Sequence, residues 1–390
     1  MAEFEFKLVA SDKKTRARSG VIKTPHGKIE TPAFSPVATR ASVRSLSNDD
    51  LKNANSQVVL GNTYHLYLKP GTSMISKFGG FGPFMGWDGP TITDSGGYQV
   101  SFLWSKGNDE DKPRVIKIDD KGALFRSHLD GSLHLLTPEK SMEIQKILGA
   151  DIIMAFDQPQ GLNMSPRRSK EAFERTFLWE ERSLKTWQKL NKKGNFQALY
   201  GIVQGDLDKE LRKKSLDFVL KNGFLGIAIG GEAIGSDPKT TSLALDTIAD
   251  YLPDDLPVHA LGLGGGPEGI FEAVRRGVDT FDNTGITRMA RTGLLFIYPE
   301  DGGNRKNKFR IDIKKKEFAD KKGPVSKVCT CYTCQNFSKA YIHHLLTSGE
   351  VLGLRLATIH NVFFINDLMA RIRKSIMMGD FEDLTQFWLR

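Results

Sequence analysis

ALYGIVQG, at residues 198–205, is a run of apolar and β-branched residues that ends in a glutamine and a glycine. Near-continuous apolar runs of this length are typical of parallel strands covered on both faces. Helical patterns such as PEKSMEIQKILG and PEGIFEAVRRG, each opening with proline, lie between several runs of this kind. Eight such units predict an α/β fold, a (β/α)8 barrel. The other seven runs are PAFSPVAT from Pro32, QVVLGNTYH from Gln57, TITDSGG from Thr91, DIIMAFD from Asp151, FLGIAIGG from Phe224, VHALGLGG from Val258 and VDTFDNTG from Val278.

Two excursions interrupt this pattern. The segment VIKIDDKGALFRSHLDGSLHLL follows the third run and predicts a hairpin, because DDKG and LDGS are strong chain-reversal signals. The second excursion covers residues 299–360. A chain of 390 residues, of which 39% are hydrophobic, can bury one large core, so we predict one decorated barrel domain spanning residues 1–390.

Positive charge is unevenly distributed along the chain. The formal net charge is +9, and residues 305–322 contain nine Lys or Arg against three Asp or Glu, a local charge of +6. A basic run is usually a solvated surface. The alternative is a phosphate-binding surface, where each Lys or Arg releases counterions condensed on a nucleic acid. Both interpretations stay open at this point.

The sequence also indicates a compartment. No apolar run approaches the ~18 residues of a membrane span, and the opening MAEFEFKLVASDKKTRARSG carries charge where a signal peptide needs an apolar stretch. We therefore expect a cytoplasmic protein with no membrane partner.

Three cysteines lie within six residues, at Cys329, Cys331 and Cys334. An odd number of cysteines so close together is unlike a set of disulfide bonds and is typical of a metal-binding loop. Three thiolates and one imidazole would fill a tetrahedral zinc shell, and filled shells are structural because a catalytic zinc keeps one position for water. The spacing leaves the fourth ligand open among His343, His344 and His360, and His360 is predicted to open a helix. The alternative is three buried cysteines without a metal.

Polar residues stand where the predicted strands end. Because reacting groups in such barrels lie where strands run into the following loops, these positions predict a convergent polar ring. Any single strand-end aspartate is more often a helix cap or turn residue than a catalyst. The five positions are Asp94, Asp157, Gln204, Gly231 and Asp282.

Six ordered motifs along nearly the whole chain resemble the tRNA-guanine transglycosylases, also called queuine tRNA-ribosyltransferases, and the bacterial type most closely. The resemblance implies a (β/α)8 TIM barrel, a zinc-binding subdomain at residues 299–362 inserted late in the barrel, and a helix at residues 363–390 that returns to it. It also implies one structural Zn²⁺ per chain and a homodimer. The motifs are GNTYHLYLKPG, WDGPTITDSGGYQVSF, FRSHLDGSLHLLTPEKSMEIQ, YGIVQG, GVDTFDNTGITRMAR and CTCYTCQNFSKAYIHHL with RLATIHN.

The resemblance implies catalytic roles for two aspartates. Asp282 corresponds to the family's nucleophile, which forms a covalent ribosyl-enzyme intermediate, and Asp94 corresponds to its acid/base residue. The substrates implied are tRNAs with a GUN anticodon, guanine, and a 7-deazaguanine base, with 7-aminomethyl-7-deazaguanine the leading choice. The implied base-binding residues are Asp94, Ser95, Gly96, Gly97, Tyr98, Asp157, Gln204, Gly231 and Glu232. The implied tRNA-binding residues are Gly262, Leu263, Gly264, Gly265, Gly266, Pro267, Glu268, Thr287, Arg288, Met289, Ala290 and Arg291.

The chain departs from the family pattern in the base pocket. Where the family usually has Asp-Glu-Cys, this chain has Asp157, Gln158 and Pro159. The usual bacterial Gly-Gly-Leu-Ala-Val-Gly-Glu is replaced by a stretch with Glu232 near its start and Ser236 at its end. Glu232 could pair with the aminomethyl group, or it could mark a different 7-substituent such as that of queuine or 7-cyano-7-deazaguanine. The methionine that usually lines the pocket is missing around Leu261.

Three other interpretations compete with this reading. One is a non-catalytic tRNA-binding accessory subunit, which the presence of both Asp94 and Asp282 argues against. Another is a zinc-dependent hydrolase, for which His65 and His259 are too isolated to supply a metal cluster. The third is archaeal-type specificity, which we do not expect because the chain stops at Arg390 without further RNA-binding domains.

Overall fold

A three-stranded antiparallel sheet precedes the barrel in this computed structural model, which describes residues 4–102, 114–192, 195–263 and 266–390. Its strands are β1 (Glu5–Ser11), β2 (Arg18–Thr24) and β3 (Gly27–Thr31). Arg18 bonds Asp279, and His26 bonds Asp151, each just before a barrel strand. Phe4 packs edge-on against Tyr200 of the barrel interior. The sheet therefore closes the amino-terminal end of the barrel.

The first part of the barrel contains four short strands and five short helices. The strands are β4 (Ala33–Ser35), β5 (Val37–Ala38), β6 (Val59–Gly61) and β7 (Thr91–Thr93). The helices are α1 (Asn48–Asn53), α2 (Thr63–Leu66), α3 (Thr72–Lys77), α4 (Phe81–Met85) and α5 (Gly97–Phe102). An irregular turn at Tyr67–Gly71 joins α2 to α3.

The predicted hairpin is confirmed and is one strand longer than expected. It forms a separate antiparallel sheet of β8 (Arg114–Asp119), β9 (Gly122–Arg126) and β10 (Leu133–Leu136), with β9 in the middle. The two reversals fall at the predicted DDKG and LDGS turns.

The second part of the barrel alternates strands and longer helices. The strands are β11 (Ile152–Met154), β12 (Ala198–Val203), β13 (Gly226–Ile229), β14 (Val258–Ala260) and β15 (Thr280–Asp282). The helices are α6 (Pro138–Leu148), α7 (Pro166–Leu190), α8 (Lys209–Lys221), α9 (Pro238–Asp246), α10 (Pro267–Val274) and α11 (Gly285–Thr292), so both helices predicted to open with proline are confirmed.

The sheet closes on itself. Its order is β4-β15-β14-β13-β12-β11-β7-β6-β5, and every pair in it is parallel. The two end strands, β4 and β5, flank Pro36 in one stretch of chain, so together they form a single barrel position. All eight predicted runs contribute a strand, and the predicted (β/α)8 barrel is confirmed.

The last part of the chain adds a small ribbon and four helices. The ribbon pairs β16 (Leu294–Phe296) with β17 (Arg310–Asp312). The second excursion is predicted to start at residue 299, and β16 begins five residues before that position. The helices are α12 (Tyr332–Asn336), α13 (Lys339–Thr347), α14 (Val351–Met378) and α15 (Phe381–Leu389). Helix α14 continues across residues 362 and 363, where the two predicted segments meet, and that domain division stays a prediction.

Candidate active site and metal centre

Asp94 directly follows β7 and is held by the loop after β6. The backbone N–H of Thr63 donates to Asp94 Oδ1 at 2.7 Å, and the Asn62 side-chain amide donates to Oδ2. Burial, together with the charges of Asp282 and Asp157, raises the pKa of Asp94 to about 7, against the lowering effect of the hydrogen bonds from Thr63 and Gln99. The three aspartates therefore lie close enough to interact, and Asp94 can exchange a proton near neutral pH.

Asp157 forms the floor of the pocket. It is 3% exposed, and it accepts hydrogen bonds from Ser95 Oγ at 3.1 Å and from Gln204 Nε2 at 2.8 Å. Burial raises its pKa to about 6, against the lowering effect of both hydrogen bonds. A side chain at Gly97 would collide with the backbone carbonyl of Asp157, so glycine lets α5 approach the floor closely.

Arg212 joins the two loops that form one wall of this pocket. Its buried guanidinium donates to the carbonyl oxygens of Val203 at 3.2 Å, Asp206 at 2.6 Å and Gly230 at 3.1 Å. A Cβ atom at Gly230 would lie 2.6 Å from Nε2 of Gln204, so glycine leaves room for that amide. The sequence offered no signal for Arg212, because an arginine in an amphipathic helix looks like a solvated one.

Tyr98 and Glu232 lie on the rim of the pocket. Tyr98 is 50% exposed and its ring lies 5.2 Å from that of Phe102. Burial raises the pKa of Tyr98, and the charge of Glu232 raises it further. Glu232 Oε2 accepts a hydrogen bond from the backbone N–H of Leu162 at 3.2 Å. The rim therefore combines an aromatic face with a carboxylate.

Asp282 ends β15 on the opposite side of the pocket. Its side chain is 14% exposed, and its Oδ1 accepts a hydrogen bond from the backbone N–H of Gly262 at 3.0 Å. Nε2 of His259 lies 3.3 Å from the same oxygen. In the sequence, His259 is isolated from other polar site residues. The missing signal is the pairing of β14 with β15, which places His259 beside Thr280, two residues before Asp282.

Three arginines gather beside Asp282. Burial lowers the pKa of Arg291, and the charges of Arg44 and Arg288 lower it further, so the three guanidinium groups are neighbours. Arg44 was not predicted, since it lies about 240 residues away in the sequence. Neighbouring guanidinium groups are the electrostatic pattern of a phosphate site.

The other predicted tRNA-binding residues are divided between the surface and the interior. Gly262 and Arg288 are exposed, Met289 and Arg291 are half-buried, and Glu268 pairs with Arg305 at 3.2 Å. Gly264 and Gly265 lie outside the described residues. The buried members of the set are Leu263, Gly266, Pro267, Thr287 and Ala290.

The cysteine cluster has the geometry of a metal centre. Sγ of Cys329, Cys331 and Cys334 lie 3.7, 3.5 and 3.3 Å from Nδ1 of His360, and the four ligand atoms all lie within 4.8 Å of one another. Tetrahedral zinc bonds place sulfur and nitrogen ligands about 3.5 Å apart. Nε2 of His360 lies 2.7 Å from the carbonyl oxygen of Phe296, which leaves Nδ1 to face the thiols.

The structure decides among the three candidate histidines. His343 bonds the carbonyl oxygen of Ile313 at 2.8 Å, and His344 lies beside Ser348, so His360 completes the cluster. The prediction that His360 opens a helix is wrong, because α14 begins at Val351 and His360 lies within it. Thr333 of α12 donates to the carbonyl oxygen of Leu356, and Gly353 lies against Leu345 of α13, so this packing stabilises the part of the helix that precedes His360.

Comparisons with known proteins agree with this arrangement. A family model described as queuine tRNA-ribosyltransferase matches residues 12–390. The chain belongs to this family. It is 40% identical to the queuine tRNA-ribosyltransferase of Roseiflexus sp. (strain RS-1) over 402 residues, which cover 98% of each chain. It is 41% identical to that of Thermoanaerobacter sp. (strain X514) over 376 residues, 96% of this chain and 94% of the relative. It is 41% identical to the queuine tRNA-ribosyltransferase of Zymomonas mobilis over 383 residues, 98% of this chain and 94% of the relative.

Membership in the queuine tRNA-ribosyltransferases confirms the predicted family and the predicted enzyme class, a pentosyltransferase. Among the described residues, no helix is both long enough and apolar enough to pass through a membrane.

The departures from the queuine tRNA-ribosyltransferase pattern have local structural partners. Gln158 Oε1 accepts a hydrogen bond from Arg175 at 2.6 Å. Ser236 is exposed and bonds the carbonyl oxygen of Ala233. Leu261 packs against the residues that fill the barrel. Glu232 places a carboxylate near Tyr98 at the pocket rim.

Proposed function

We propose that this chain exchanges the wobble guanine of tRNAs with a GUN anticodon for a 7-deazaguanine base, through a covalent ribosyl-aspartate intermediate. The convergence of Asp94, Asp157 and Asp282 at one end of the barrel carries this proposal. Because the target base is stacked in the anticodon loop, it must be extruded before it can reach such a pocket. Arg44 and Arg288 are exposed and, with the half-buried Arg291, would hold the backbone that delivers it.

Two carboxylates have separate tasks in this reaction. Asp282 attacks C1′ of the ribose as the C1′–N9 bond breaks, and the bonding electron pair leaves with the guanine. Asp94 supplies the proton that the departing base takes up. In the second half, the incoming base attacks C1′, its N9 proton passes to Asp94, and the Asp282 carboxylate is released. Glycosidases that retain configuration divide the work between two carboxyl groups in the same way.

Esterification of Asp282 prepares Asp94 for its second task. The charge of Asp282 is one of the causes that raise the pKa of Asp94. This charge disappears when the covalent bond forms, so the pKa of Asp94 falls. Asp94 therefore changes from a proton donor to a proton acceptor as the reaction advances.

The floor of the pocket suits a guanine edge. With a pKa of about 6, Asp157 is ionised at neutral pH and can accept hydrogen bonds from a ring N–H and an exocyclic amine. The Gln204 amide and the backbone N–H of Gly231 serve the carbonyl side. Tyr98, with half its surface exposed, offers a stacking face for the base.

Replacing the nucleophile tests this function. Asp282→Asn should abolish incorporation of labelled guanine into a GUN-anticodon tRNA and the covalent enzyme–tRNA band on a denaturing gel. Asp254→Asn, an exposed aspartate at the closed end, is the matched control and should keep both. Incorporation at the normal rate by Asp282→Asn would overturn the proposal.

Glu232 supports 7-aminomethyl-7-deazaguanine as the incoming base. Its carboxylate lies near Tyr98 on the rim, where a cationic 7-substituent could pair with it. Glu232→Gln keeps the size and removes the charge, so it should raise KM for this base about tenfold while guanine exchange changes little. Ser236→Ala is the matched control. An unchanged KM in Glu232→Gln, or a wild-type preference for queuine or 7-cyano-7-deazaguanine, would contradict this assignment.

The metal proposed for the cysteine cluster is one structural Zn²⁺ per chain. Three thiolates and an imidazole fill its shell, so zinc would hold α12 and α14 together and leave bond breaking to the aspartates. His360→Ala should lose zinc, measured by mass spectrometry of the metal, and lower the free energy of unfolding by at least about 3 kcal/mol. His343→Ala should retain the metal. One zinc per chain in His360→Ala would refute the ligand set.

The oligomeric state and the compartment are part of the same proposal. The metal-bearing region exposes Tyr332 and Tyr341 around Phe337, and a second copy of this chain could cover these rings. Sedimentation equilibrium should give twice the chain mass, and a monomer at micromolar concentration would contradict it. A cytoplasmic location is proposed because tRNA is the substrate.

A further inference from the structure

His259 is a buried histidine in direct contact with the proposed nucleophile. Its side chain is inaccessible to solvent, its Nδ1 lies 2.9 Å from Thr280 Oγ1, and its Nε2 lies 3.3 Å from Asp282 Oδ1. Gly262 donates its backbone N–H to the same oxygen at 3.0 Å. Oδ1 of Asp282 is thus approached by two nitrogen atoms, while Oδ2 has no protein hydrogen bond among those found between described residues.

The contact with Thr280 allows its hydroxyl to set which ring nitrogen of His259 carries the proton. A neutral imidazole has one donor nitrogen and one acceptor nitrogen. If the hydroxyl of Thr280 donates to Nδ1, the proton resides on Nε2 and points at Asp282.

We propose that His259 is a positioning residue which, together with the Gly262 N–H, holds Oδ1 of Asp282 and presents Oδ2 to the ribose. This inference rests on the proposed function, because it assigns a task within the same covalent reaction. No proton leaves His259 in either half of the reaction.

The hydrogen bonds from His259 and from the Gly262 N–H affect the two halves of the exchange reaction differently. When Oδ2 forms its bond to C1′, the carboxylate becomes an ester and its charge is lost, so the hydrogen bonds to Oδ1 weaken. When the incoming base breaks the C1′–Oδ2 bond, the electron pair returns to the carboxylate and these bonds strengthen again. Donors that bind the free carboxylate more tightly than the ester favour its departure and make the covalent intermediate less stable.

Removing the imidazole should therefore slow the second half selectively. His259→Phe keeps a planar ring in the buried site and deletes both nitrogens. We expect guanine exchange to fall about 10- to 100-fold, and the fraction of enzyme trapped on tRNA during turnover, read from a denaturing gel, to rise. His259→Gln retains an N–H donor and should recover part of the exchange rate.

Thr280→Val provides a second route to the same test if His259→Phe does not fold. It removes the hydroxyl that orients the imidazole and leaves the shape nearly unchanged, so a smaller rise in the covalent fraction is expected. His26→Phe is the matched control, because His26 bonds the buried Asp151 at 2.7 Å at the closed end of the barrel. The fraction of His26→Phe enzyme trapped on tRNA during turnover should equal that of the wild type.

The outcomes separate this inference from the proposed function. Normal exchange by His259→Phe, or a loss of exchange without any rise in the covalent fraction, would overturn the role of His259. A wild-type chain that neither exchanges guanine nor forms an Asp282-dependent adduct would instead overturn the proposed function.

Discussion

Among single residues, Asp94 is the one whose surroundings suit two opposite tasks. Its carboxylate is held by Asn62 and Thr63 from the neighbouring loop, so its position is fixed while its charge changes. Burial supplies most of the rise in its pKa, and neighbouring carboxylates add to it. An ordinary exposed aspartate would be fully ionised at neutral pH and could not donate a proton to a departing base.

The first prediction concerns the pH dependence of guanine release. With a pKa of about 7, the protonated fraction of Asp94 is high in acid and declines as pH rises through that value. The single-turnover rate constant for adduct formation should fall about tenfold per unit above about pH 8, where Asp94 has lost its proton. Rapid-quench measurement with labelled tRNA tests this. A rate that stays constant from about pH 6 to about pH 9 would exclude Asp94 as the donor.

Among the larger elements, α14 connects the metal centre to the active site. Its His360 bonds the Phe296 carbonyl, and the next residue, Asn361, bonds the backbone of β16 and the carbonyl oxygen of Ile286 in α11. Helix α11 begins three residues after Asp282 and carries Arg288 and Arg291. Through His360 and Asn361, α14 therefore joins the cysteine cluster to the arginine-bearing helix.

The second prediction concerns the pocket wall that Arg212 holds. Lysine at this position keeps the charge but cannot reach three carbonyl oxygens at once, so the loops after β12 and β13 should separate. Arg212→Lys should raise KM for the base about tenfold and leave KM for tRNA unchanged. Arg18→Lys is the matched control, since Arg18 is a buried arginine at the closed end. Equal effects of both substitutions on KM for the base would contradict this role.

For the molecule as a whole, charge is concentrated at the open end of the barrel. The basic run at residues 305–322 starts beside Glu268, at the mouth, and continues toward α13. Its lysines are exposed. This placement favours the phosphate-binding interpretation over a merely solvated surface, because the run adjoins the arginines beside Asp282.

The third prediction is the salt dependence of tRNA binding. Lys315→Gln combined with Lys316→Gln should reduce the slope of log Kd against log salt by about one for each phosphate contact that is lost. Lys185→Gln combined with Lys189→Gln, in the part of α7 near the closed end, is the matched control and should leave the slope unchanged. An unchanged slope in the first variant would mean that this part of the run is only solvated.

The sequence indicates the barrel and much of the site for a simple physical reason. Parallel strands that are covered on both faces have nearly continuous apolar sequences, which makes them recognisable. Because the carboxyl ends of these strands meet at one end of the barrel, Asp94, Asp157 and Asp282 are expected to lie together. What it cannot supply is strand register, on which the contact of His259 with Asp282 depends. It also conceals the start of α14, because Gly353 disfavours a helix, and only the close crossing of Leu345 explains its presence.

Closure of the barrel also determines when the chain can fold during synthesis. Ser35 of β4 pairs with Asp282 of β15, so the first barrel strand lacks its neighbour until nearly three quarters of the chain has been made. At about 5–20 residues per second, that delay is on the order of 10–50 s. Throughout it, the edge of β4 is an unpaired template for other strands. Nascent-chain chaperones are therefore expected to matter most for this protein before Asp282 leaves the ribosome.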